Sequence, residues 1–364
     1  MKILVALSGG VDSSTVAHML KADGHELMGV RFTLWSDPLA PALSQVLPSK
    51  CCNAETASRA KRTADALKIP YHIVDLEKEF KEHVVDPFLE GFRQGSTPNP
   101  CIRCNRQIKF GKLLELMKGF GCEKLATGHY ARVATETHAD GTSMHLLLEA
   151  VDRAKDQSYY LYGLTQEQLK FVFFPLGGMM KRDVLALAKE FGVPLPDAYQ
   201  ESQDLCFFPE KHPKEFLKRY LADCMQPGKI VRRDGTMMGE HEGLPLYTVG
   251  QRRGLKVGGL SIPLEVVAKN PEKNELIVSD KGTEKRQSIG LREIRWVSWM
   301  PPENEHVPFS YRTRSLGSKK SGKLLFQGST GTFVFDEEES PLASGQSLVL
   351  YRGQEIVGGA VMEM

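Results

Sequence analysis

The sequence lacks long apolar runs. None of its 364 residues belongs to a stretch that approaches the roughly 20 apolar residues of a membrane helix. A secretory signal pattern is also missing, because a strand-like run, Ile3–Leu7, begins almost at Met1. We therefore expect a cytoplasmic protein with no membrane partner.

A strong excess of charge of one sign is also missing. Lys and Arg number 47 against 45 for Asp and Glu, a net charge of +2 that neither supports nor excludes a nucleic-acid partner. Locally, however, the segment 311–323 carries five basic residues and no acidic one. Smaller clusters are Arg232-Arg233 and Arg252-Arg253. Their place in Gly-rich loops is a moderate indication of phosphate contacts.

The seven cysteines suit metal, redox or catalytic use better than a disulfide framework, since no secretory signal precedes them. Cys101 and Cys104 form a Cys-x-x-Cys pair, but no second pair exists, so zinc is weakly indicated. Beside Arg103 and a helix start that Asn105 is predicted to cap, both thiols should have lowered pKa values. The other cysteines are Cys206, in a polar loop, Cys122 and Cys224, interpreted as buried, and Cys51-Cys52, left open.

The most informative segment is Ser8-Gly9-Gly10-Val11-Asp12-Ser13-Ser14, between a strand pattern and a helix pattern. Paired glycines let the backbone approach an anion, and the helix start offers unsatisfied N–H groups. The segment is not a Walker-type P-loop, because no Lys follows Gly10. Asp12 could hold Mg²⁺, which prefers oxygen ligands.

Alternating strand and helix patterns in the first half predict an α/β fold with a parallel sheet. Ligands then bind at the carboxyl ends of the strands, where Ser8–Ser14, Phe32 and Gly128-His129 should converge. We predict an N-terminal parallel-sheet domain (1–200), a small central mixed domain (201–274) and a C-terminal β-barrel (275–364). Within these, 95–105 is expected to be a loop, 165–192 a helix, and Leu276–Val278 a barrel strand.

Seven motifs in order resemble the tRNA-specific 2-thiouridylase family of pyrophosphate-loop enzymes, over essentially the whole chain. They are Ser8–Ser14, Thr97–Pro100, Ala126–Tyr130, Lys155–Tyr159, Cys206-Phe207, Gly250–Arg252 and Gly345–Ser347. The resemblance implies an adenine nucleotide α-hydrolase-like first domain. It also implies ATP-dependent adenylation of the wobble uridine's position-2 oxygen, then replacement of that oxygen by sulfur.

The resemblance also implies roles for individual residues. Cys104 would be the attacking thiol, Cys206 the persulfide carrier, and Asp12 a third catalytic residue. ATP with Mg²⁺ would be bound by Ala6, Leu7, Ser8, Gly9, Gly10, Val11, Asp12, Ser13, Phe32 and Gly128. A tRNA anticodon stem-loop would contact Asn99, Pro100, Cys101, His129, Lys155, Asp156, Gln157, Arg314, Ser315 and Gln346. A sulfur-relay protein would be the second partner.

Two positions depart from the family pattern. Cys101 stands where much of the family has Asp, and Cys101, Cys104 and Cys206 together could be ligands of an iron–sulfur cluster with one open iron. Sulfur transfer therefore has two routes, a Cys104–Cys206 persulfide relay or a cluster that binds hydrosulfide. Ser315 stands where the family often has an aromatic residue, which leaves its role open.

Two other functions compete with thiolation. A pyrophosphate-loop ligase that amidates a small carboxylate would give the cysteines no role. A non-catalytic RNA-binding protein with zinc at Cys101 and Cys104 would not need Asp12 or Ser13. An assay for exchange of pyrophosphate with ATP would distinguish this last function from both enzymes.

Overall fold

The computed structural model describes residues 1–41, 54–137, 139–194, 205–258 and 262–364. Cys51-Cys52 and the polar residues 202–204 before Cys206 lie outside this part of the chain. In the described ranges, no helix is both long and apolar enough to cross a bilayer.

The strands in the described ranges are numbered in chain order. They are β1 (Lys2–Ala6), β2 (Glu26–Thr33), β3 (Tyr71–Asp75), β4 (Lys124–Ala126), β5 (Arg132–Thr137), β6 (Ser143–Leu148), β7 (Val172–Phe173), β8 (Gly228–Arg232), β9 (Met237–His241), β10 (Leu264–Asn270), β11 (Glu275–Asp280), β12 (Arg286–Trp296), β13 (Val307–Arg312), β14 (Lys320–Gln327), β15 (Thr330–Glu339), β16 (Ser347–Arg352) and β17 (Glu355–Glu363).

The helices are numbered in the same way. They are α1 (Val11–Ala22), α2 (Ala54–Ala66), α3 (Glu77–Phe80), α4 (Asp86–Arg93), α5 (Pro100–Arg103), α6 (Phe110–Gly119), α7 (Gln166–Phe171), α8 (Lys181–Glu190) and α9 (Lys214–Tyr220). Two π-helical turns, Lys81–Val85 and Cys104–Lys109, join α3 to α4 and α5 to α6. Short 3₁₀ turns are Ser158–Leu161, Pro175–Gly178, Ala222–Cys224 and Leu244–Leu246.

The N-terminal sheet has the order β3-β2-β1-β4-β7, and its pairings are parallel. Its central strand is apolar on both faces: Ile3, Leu4 and Val5 are 0% exposed, and they belong to two separate core clusters. The predicted parallel α/β fold is confirmed. The carboxyl ends of β1, β2 and β4 lie side by side, which brings the segments that follow them together.

The Cys-x-x-Cys segment lies on a helix, so the prediction of a loop through residue 105 is wrong. Pro100 is the first residue of α5, and the side chain of Asn99 caps it by accepting a hydrogen bond from Cys101 N (3.2 Å). Asn105 is not a cap. It lies within the π-helical turn, and its Nδ2 donates to the Tyr160 carbonyl (3.1 Å). Asn105 is 4% exposed, so its side chain serves the interior of the fold instead of a helix end.

The expected single helix over 165–192 is also wrong. Helix α7 ends at Phe171, β7 adds an edge strand to the parallel sheet, and α8 begins only at Lys181. Pro175 and the Gly177-Gly178 pair lie between them, and these residues disfavour a helix interior. The helical periodicity of the segment comes from two short helices.

The central sheet has the order β10-β11-β8-β9. Strand β11 contains Leu276–Val278 and pairs with both β8 and β10. The assignment of this strand to the barrel is therefore wrong. Alternating apolar residues predict a strand but not its partners, and Leu276 and Val278 pack with Ile230 and Val266 of the central sheet.

The C-terminal strands form a closed antiparallel barrel in the order β12-β15-β14-β13-β16-β17, which closes through β12–β17 pairing. The predicted barrel is confirmed. The hairpin β5–β6 belongs to the first half of the chain, yet β6 pairs with β17 and extends the barrel sheet. The N-terminal half of the chain and the barrel therefore share a continuous sheet. The three domain boundaries given above stay a prediction.

Candidate active site

The segment after β1 forms a tight loop that ends in the first turn of α1. Gly9 adopts φ +80°, and a Cβ there would lie 1.9 Å from the Thr56 carbonyl oxygen. Ser8 Oγ lies 3.1 Å from Ser13 Oγ, and Ser13 Oγ donates to the Gly10 carbonyl (3.1 Å). The loop is thus held by its own hydroxyl groups. The N–H groups at the start of α1 remain oriented for an anion.

Two arginines hold the carbonyl groups of this loop. Arg31 is 5% exposed, and its Nη1 donates to the Ser8 carbonyl (2.5 Å), while Arg59 Nε donates to the Gly9 carbonyl (2.9 Å). Sequence reasoning missed both arginines. Since Arg31 lies within β2 and Arg59 within α2, only their packing against the loop gives them this role.

Asp12 is bonded to two residues that the sequence did not single out. Lys181 Nζ lies 2.7 Å and 2.9 Å from its two carboxylate oxygens, and Tyr130 OH donates to Oδ1 (2.9 Å). Lys181 is only 7% exposed, and its Nζ also lies 5.6 Å from the centre of the Tyr130 ring. A buried ammonium group therefore lies directly beside the anion-binding loop.

Gly128, after β4, meets the start of α1 as expected. A Cβ on Gly128 would lie 2.9 Å from Ser13 N, so a side chain there would collide with the loop. The next residue, His129, shares a hydrogen bond with Thr127 Oγ1 (2.8 Å). Desolvation, together with the charge of Lys109, lowers the pKa of His129 to about 3. His129 is thus a neutral imidazole at physiological pH.

Cys104 and Cys206 enter one hydrophobic cluster. Cys104 is 5% exposed in the cluster that contains Phe80, Phe88 and Phe207, and Cys206 packs against the same cluster. Phe32, at the end of β2, also packs against it. The two thiols, 102 residues apart in sequence, are therefore brought to the same part of the fold as a predicted ATP contact.

The three cysteines do not form a metal-ligand set. Across the described residues, which include all three, no group of three or more His, Cys, Asp or Glu side chains is arranged to hold a metal ion. Cys104 packs into the apolar cluster, whereas Cys101 is near Tyr160. Tyr160 has a raised pKa because of desolvation, with Cys101 as a further cause. The geometry therefore does not fit the iron–sulfur hypothesis.

The Lys155-Asp156-Gln157 run supports the protein's own structure. Asp156 is 3% exposed and accepts bonds from Ala150 N (3.0 Å) and Ser158 Oγ (3.0 Å). Gln157 Oε1 accepts from Tyr130 N (3.0 Å). The run thus holds the tyrosine that bonds Asp12. Contact of this run with tRNA stays a prediction.

A buried ion network lies beneath this run. Arg312, from the barrel, lies 2.9 Å from Glu149 and 3.4 Å from Asp156. Glu149 is 1% exposed and also pairs with Lys319 (2.7 Å). The two buried carboxylates face three cations, Arg312, Lys319 and Arg153, so the network links the barrel to the N-terminal half, and loss of one partner would leave a buried charge less compensated.

The remaining predicted tRNA contacts lie around the junction of the three domains. Arg314 is exposed, and the Ser315 carbonyl accepts a bond from Arg312 Nη1 (3.3 Å). Gln346 Nε2 donates to the Thr97 carbonyl (2.6 Å), and Thr97 Oγ1 donates to Thr248 Oγ1 (3.2 Å). The loop before Asn99 and Pro100 is thus positioned by the barrel and the central domain together.

Family models match nearly the whole chain. Residues 1–210 match the tRNA methyl transferase HUP domain, 214–280 the tRNA methyl transferase PRC-barrel domain, and 286–362 the aminomethyltransferase β-barrel domain. A curated tRNA-specific 2-thiouridylase of Moorella thermoacetica is 37% identical over 99% of both chains. This chain belongs to the tRNA-specific 2-thiouridylase family.

Other relatives agree with this membership. The tRNA-specific 2-thiouridylase of Geobacter metallireducens is 39% identical over 98% of this chain and 95% of its own. That of Chloroflexus aurantiacus is 39% identical over 98% and 97%. The match to the family spans the catalytic half, the central sheet and the barrel, and it confirms the resemblance found in the sequence motifs.

Proposed function

We propose that this protein is an ATP-dependent tRNA sulfurtransferase that 2-thiolates the wobble uridine. The observation that carries the proposal is the common cluster of Phe32, Cys104 and Cys206. It brings a predicted nucleotide contact and two thiols to one end of the parallel sheet. The protein's membership of the 2-thiouridylase family supports the same reaction.

The first step is activation of the uridine. The position-2 oxygen attacks the α-phosphorus of ATP, pyrophosphate leaves, and the oxygen becomes part of an AMP leaving group. Backbone N–H groups at Gly10–Ser13, together with Lys181, would stabilise the charge of the phosphates. Ala6, Leu7, Ser8, Gly9, Val11, Phe32 and Gly128 complete the proposed ATP site.

The second step is sulfur transfer. We propose that the outer sulfur of a persulfide on Cys206 attacks the activated ring carbon and that AMP leaves. The Cys104 thiolate then attacks the inner sulfur, which leaves 2-thiouridine and a Cys104–Cys206 disulfide. A dithiol reductant restores both thiols, and a sulfur-relay donor protein reloads Cys206. We derive no step through an iron–sulfur cluster, since the three cysteines do not fit one.

Asp12 is the proposed Mg²⁺ ligand. Its carboxylate is bonded to Lys181, so metal binding would have to exchange that ion pair. Mg²⁺ bound with ATP would neutralise phosphate charge and would take few protein ligands. Release of Lys181 from Asp12 would free the ammonium group for the phosphates. Both partners of the ion pair thus serve the same substrate.

The tRNA substrate would approach at the three-domain junction. The target base must be turned out of its stack, which an anticodon loop permits at modest cost. Asn99, Pro100 and Cys101 would contact it, with Lys155, Gln157, Arg314, Ser315 and Gln346 on the surrounding RNA. His129 would act as a neutral contact. Asp156 would act mainly by holding this surface, because it is buried.

The test separates activation from sulfur transfer. Cys104→Ala and Cys206→Ala should each abolish thiolation while tRNA-dependent exchange of pyrophosphate with ATP continues. Cys224→Ala is the matched control, because Cys224 is half-buried, not buried as predicted, and its thiol bonds Arg93 Nη1 (2.7 Å) outside the cluster of Phe32, Cys104 and Cys206. Thiolation that persists in both variants would contradict the proposed roles of the two cysteines, whereas pyrophosphate exchange that depends on a small carboxylate instead of tRNA would favour an amidating ligase. Absence of exchange in the unaltered protein would favour a non-catalytic RNA-binding protein.

A second measurement decides between the sulfur routes. Protein purified without oxygen should be free of iron and acid-labile sulfide, and it should still thiolate tRNA when sulfur is supplied. A broad absorbance band near roughly 400 nm, with activity that follows iron content, would establish the cluster of Cys101, Cys104 and Cys206 instead.

A further inference from the structure

A cavity of about 460 Å³ lies between the catalytic half and the barrel. One wall is α4, the loop that follows it and the Asn99–Gln107 helical segment; the other is β12 with Gly345 and Ser347. No residue of Ser8–Ser13 lines it, so it is separate from the proposed ATP site. It shares Asn99 and Pro100 with the proposed target-base contacts.

The cavity is rich in guanidinium groups. Its lining contains four arginines against two glutamates, namely Arg103, Arg106, Arg292 and Arg295 against Glu90 and Glu293. Within the described part of the chain, the Arg106 guanidinium makes no hydrogen bond or ion pair. Desolvation lowers the pKa of Arg106, the charges of Arg295 and Arg103 lower it further, and the carboxylate of Glu293 partly offsets this by raising it. Two carboxylates among four guanidinium groups leave an excess of positive charge that a further anion would relieve.

The backbone of β12 is distorted where it reaches the cavity. Pairing with β17 shifts register between Arg292 and Arg295, and Glu293 adopts φ +52°. A bulge re-aims side chains, and a non-glycine residue in this region of φ is strained. Glu293 lies within ion-pair distance of Arg292 (2.5 Å), Arg103 (3.8 Å) and Arg295 (3.9 Å). The Glu293 carboxylate thus shows that these arginines bind anionic oxygen groups.

We infer that this cavity binds a backbone phosphate of the RNA strand that flanks the target uridine. Guanidinium groups match phosphate oxygens in bidentate geometry, and a cluster contributed by two domains can clamp one nucleotide. The shared Asn99 and Pro100 make the cavity continuous with the proposed base site. The inference rests on the proposed function and adds a second RNA contact to it.

The test measures binding of an anticodon stem-loop RNA as a function of salt. Arg292→Gln and Arg295→Gln should each raise the Kd about tenfold and reduce the slope of log K against log salt by about 0.7. Arg295→Lys, which keeps the charge, should retain the slope. Arg286→Gln is the matched control, because Arg286 lies on the same strand outside the cavity lining.

Two further arms make the test specific. Glu293→Gln removes the competing carboxylate and should tighten RNA binding; unchanged or weaker binding would mean that Glu293 does not compete with RNA for the arginines, and would overturn the inference. A neutral methylphosphonate in place of one flanking phosphate should weaken binding to the unaltered protein but not weaken it further in Arg295→Gln.

The failures are distinguishable. The unaltered protein could thiolate tRNA while Arg292→Gln and Arg295→Gln bind RNA as Arg286→Gln does. That result would overturn the cavity assignment alone. Unaltered protein that neither binds nor thiolates tRNA would overturn the proposed function and the inference together. The variants could instead bind RNA normally and lose only the thiolation that uses a protein sulfur donor. That result would indicate that the cavity binds an acidic surface of the donor protein, and it would also overturn the RNA assignment.

Discussion

Lys181 Nζ lies 2.7 Å and 2.9 Å from the two carboxylate oxygens of Asp12, although 169 residues separate them in sequence. The pair joins the first turn of α1 to the first residue of α8. Tyr130, held by Gln157, completes the arrangement from a third segment. The ion pair and the tyrosine thereby tie the start of α1 to two segments that are distant in sequence.

Lys181→Met should lower kcat/KM for ATP about a hundredfold, because it removes a buried positive charge from the proposed phosphate site. The measurement is pyrophosphate exchange at varied ATP concentration. Lys189→Gln, an exposed lysine of the same helix, is the control and should leave kcat/KM unchanged. Equal kinetics for the two variants would remove Lys181 from the ATP site.

Gly9→Ala should abolish ATP binding and lower the free energy of unfolding. Gly24→Ala is the matched control, since the two glycines have φ +80° and +79°, but nothing lies within 4 Å of a Cβ on Gly24. The control should lose only about 1–2 kcal/mol from its left-handed backbone. Gly9→Ala should lose more, because its Cβ meets the Thr56 carbonyl. Chemical denaturation and ATP titration measure both effects.

Arg312→Leu should destabilise the protein by about 3–5 kcal/mol, because it leaves the carboxylates of Glu149 and Asp156 buried with less compensation. Arg314→Gln, two residues away and exposed, should change stability by less than about 0.5 kcal/mol but weaken tRNA binding. Denaturant titration and RNA binding separate the two roles. If Arg312→Leu unfolds like the unaltered protein, the buried network does not stabilise the domain junction.

His129 should make stability depend on pH. Its folded pKa of about 3 lies below the unfolded value near 6.5, so the unfolded chain binds the extra proton between these values. The stabilising contribution is therefore complete above pH 6.5 and is lost as the pH falls towards 3. Between pH 6.5 and 5 the loss should reach about 2 kcal/mol.

His129→Gln is the comparison for that pH effect. Its free energy of unfolding should fall less between pH 6.5 and 5 than that of the unaltered protein, since other titrating groups are common to both. Denaturant titrations at a series of pH values give this difference. Equal pH dependence in the two proteins would show that His129 is not desolvated as described.

The prediction of the fold succeeded where the physical cause is local. Apolar runs such as Ile3–Leu7 and the helix that follows Gly10 fix strand and helix by their own periodicity, and alternation of the two predicts a parallel sheet. The prediction failed where contacts between segments that are distant in sequence decide the local structure. Asn105 lies in a π-helical turn, where its amide donates to the Tyr160 carbonyl 55 residues away. Leu276–Val278 pair with β8 of the central sheet.

The sequence by itself determined the chemistry that this chain can offer: the pyrophosphate-loop motif, the Cys-x-x-Cys pair, and the family to which they belong. Only the tertiary structure decided which distant groups meet. Lys181 bonds Asp12, Arg312 reaches Asp156, and four arginines from two domains line one cavity. These pairings depend on long-range packing and on burial that strengthens charge interactions, and neither is written in the spacing of residues along the chain.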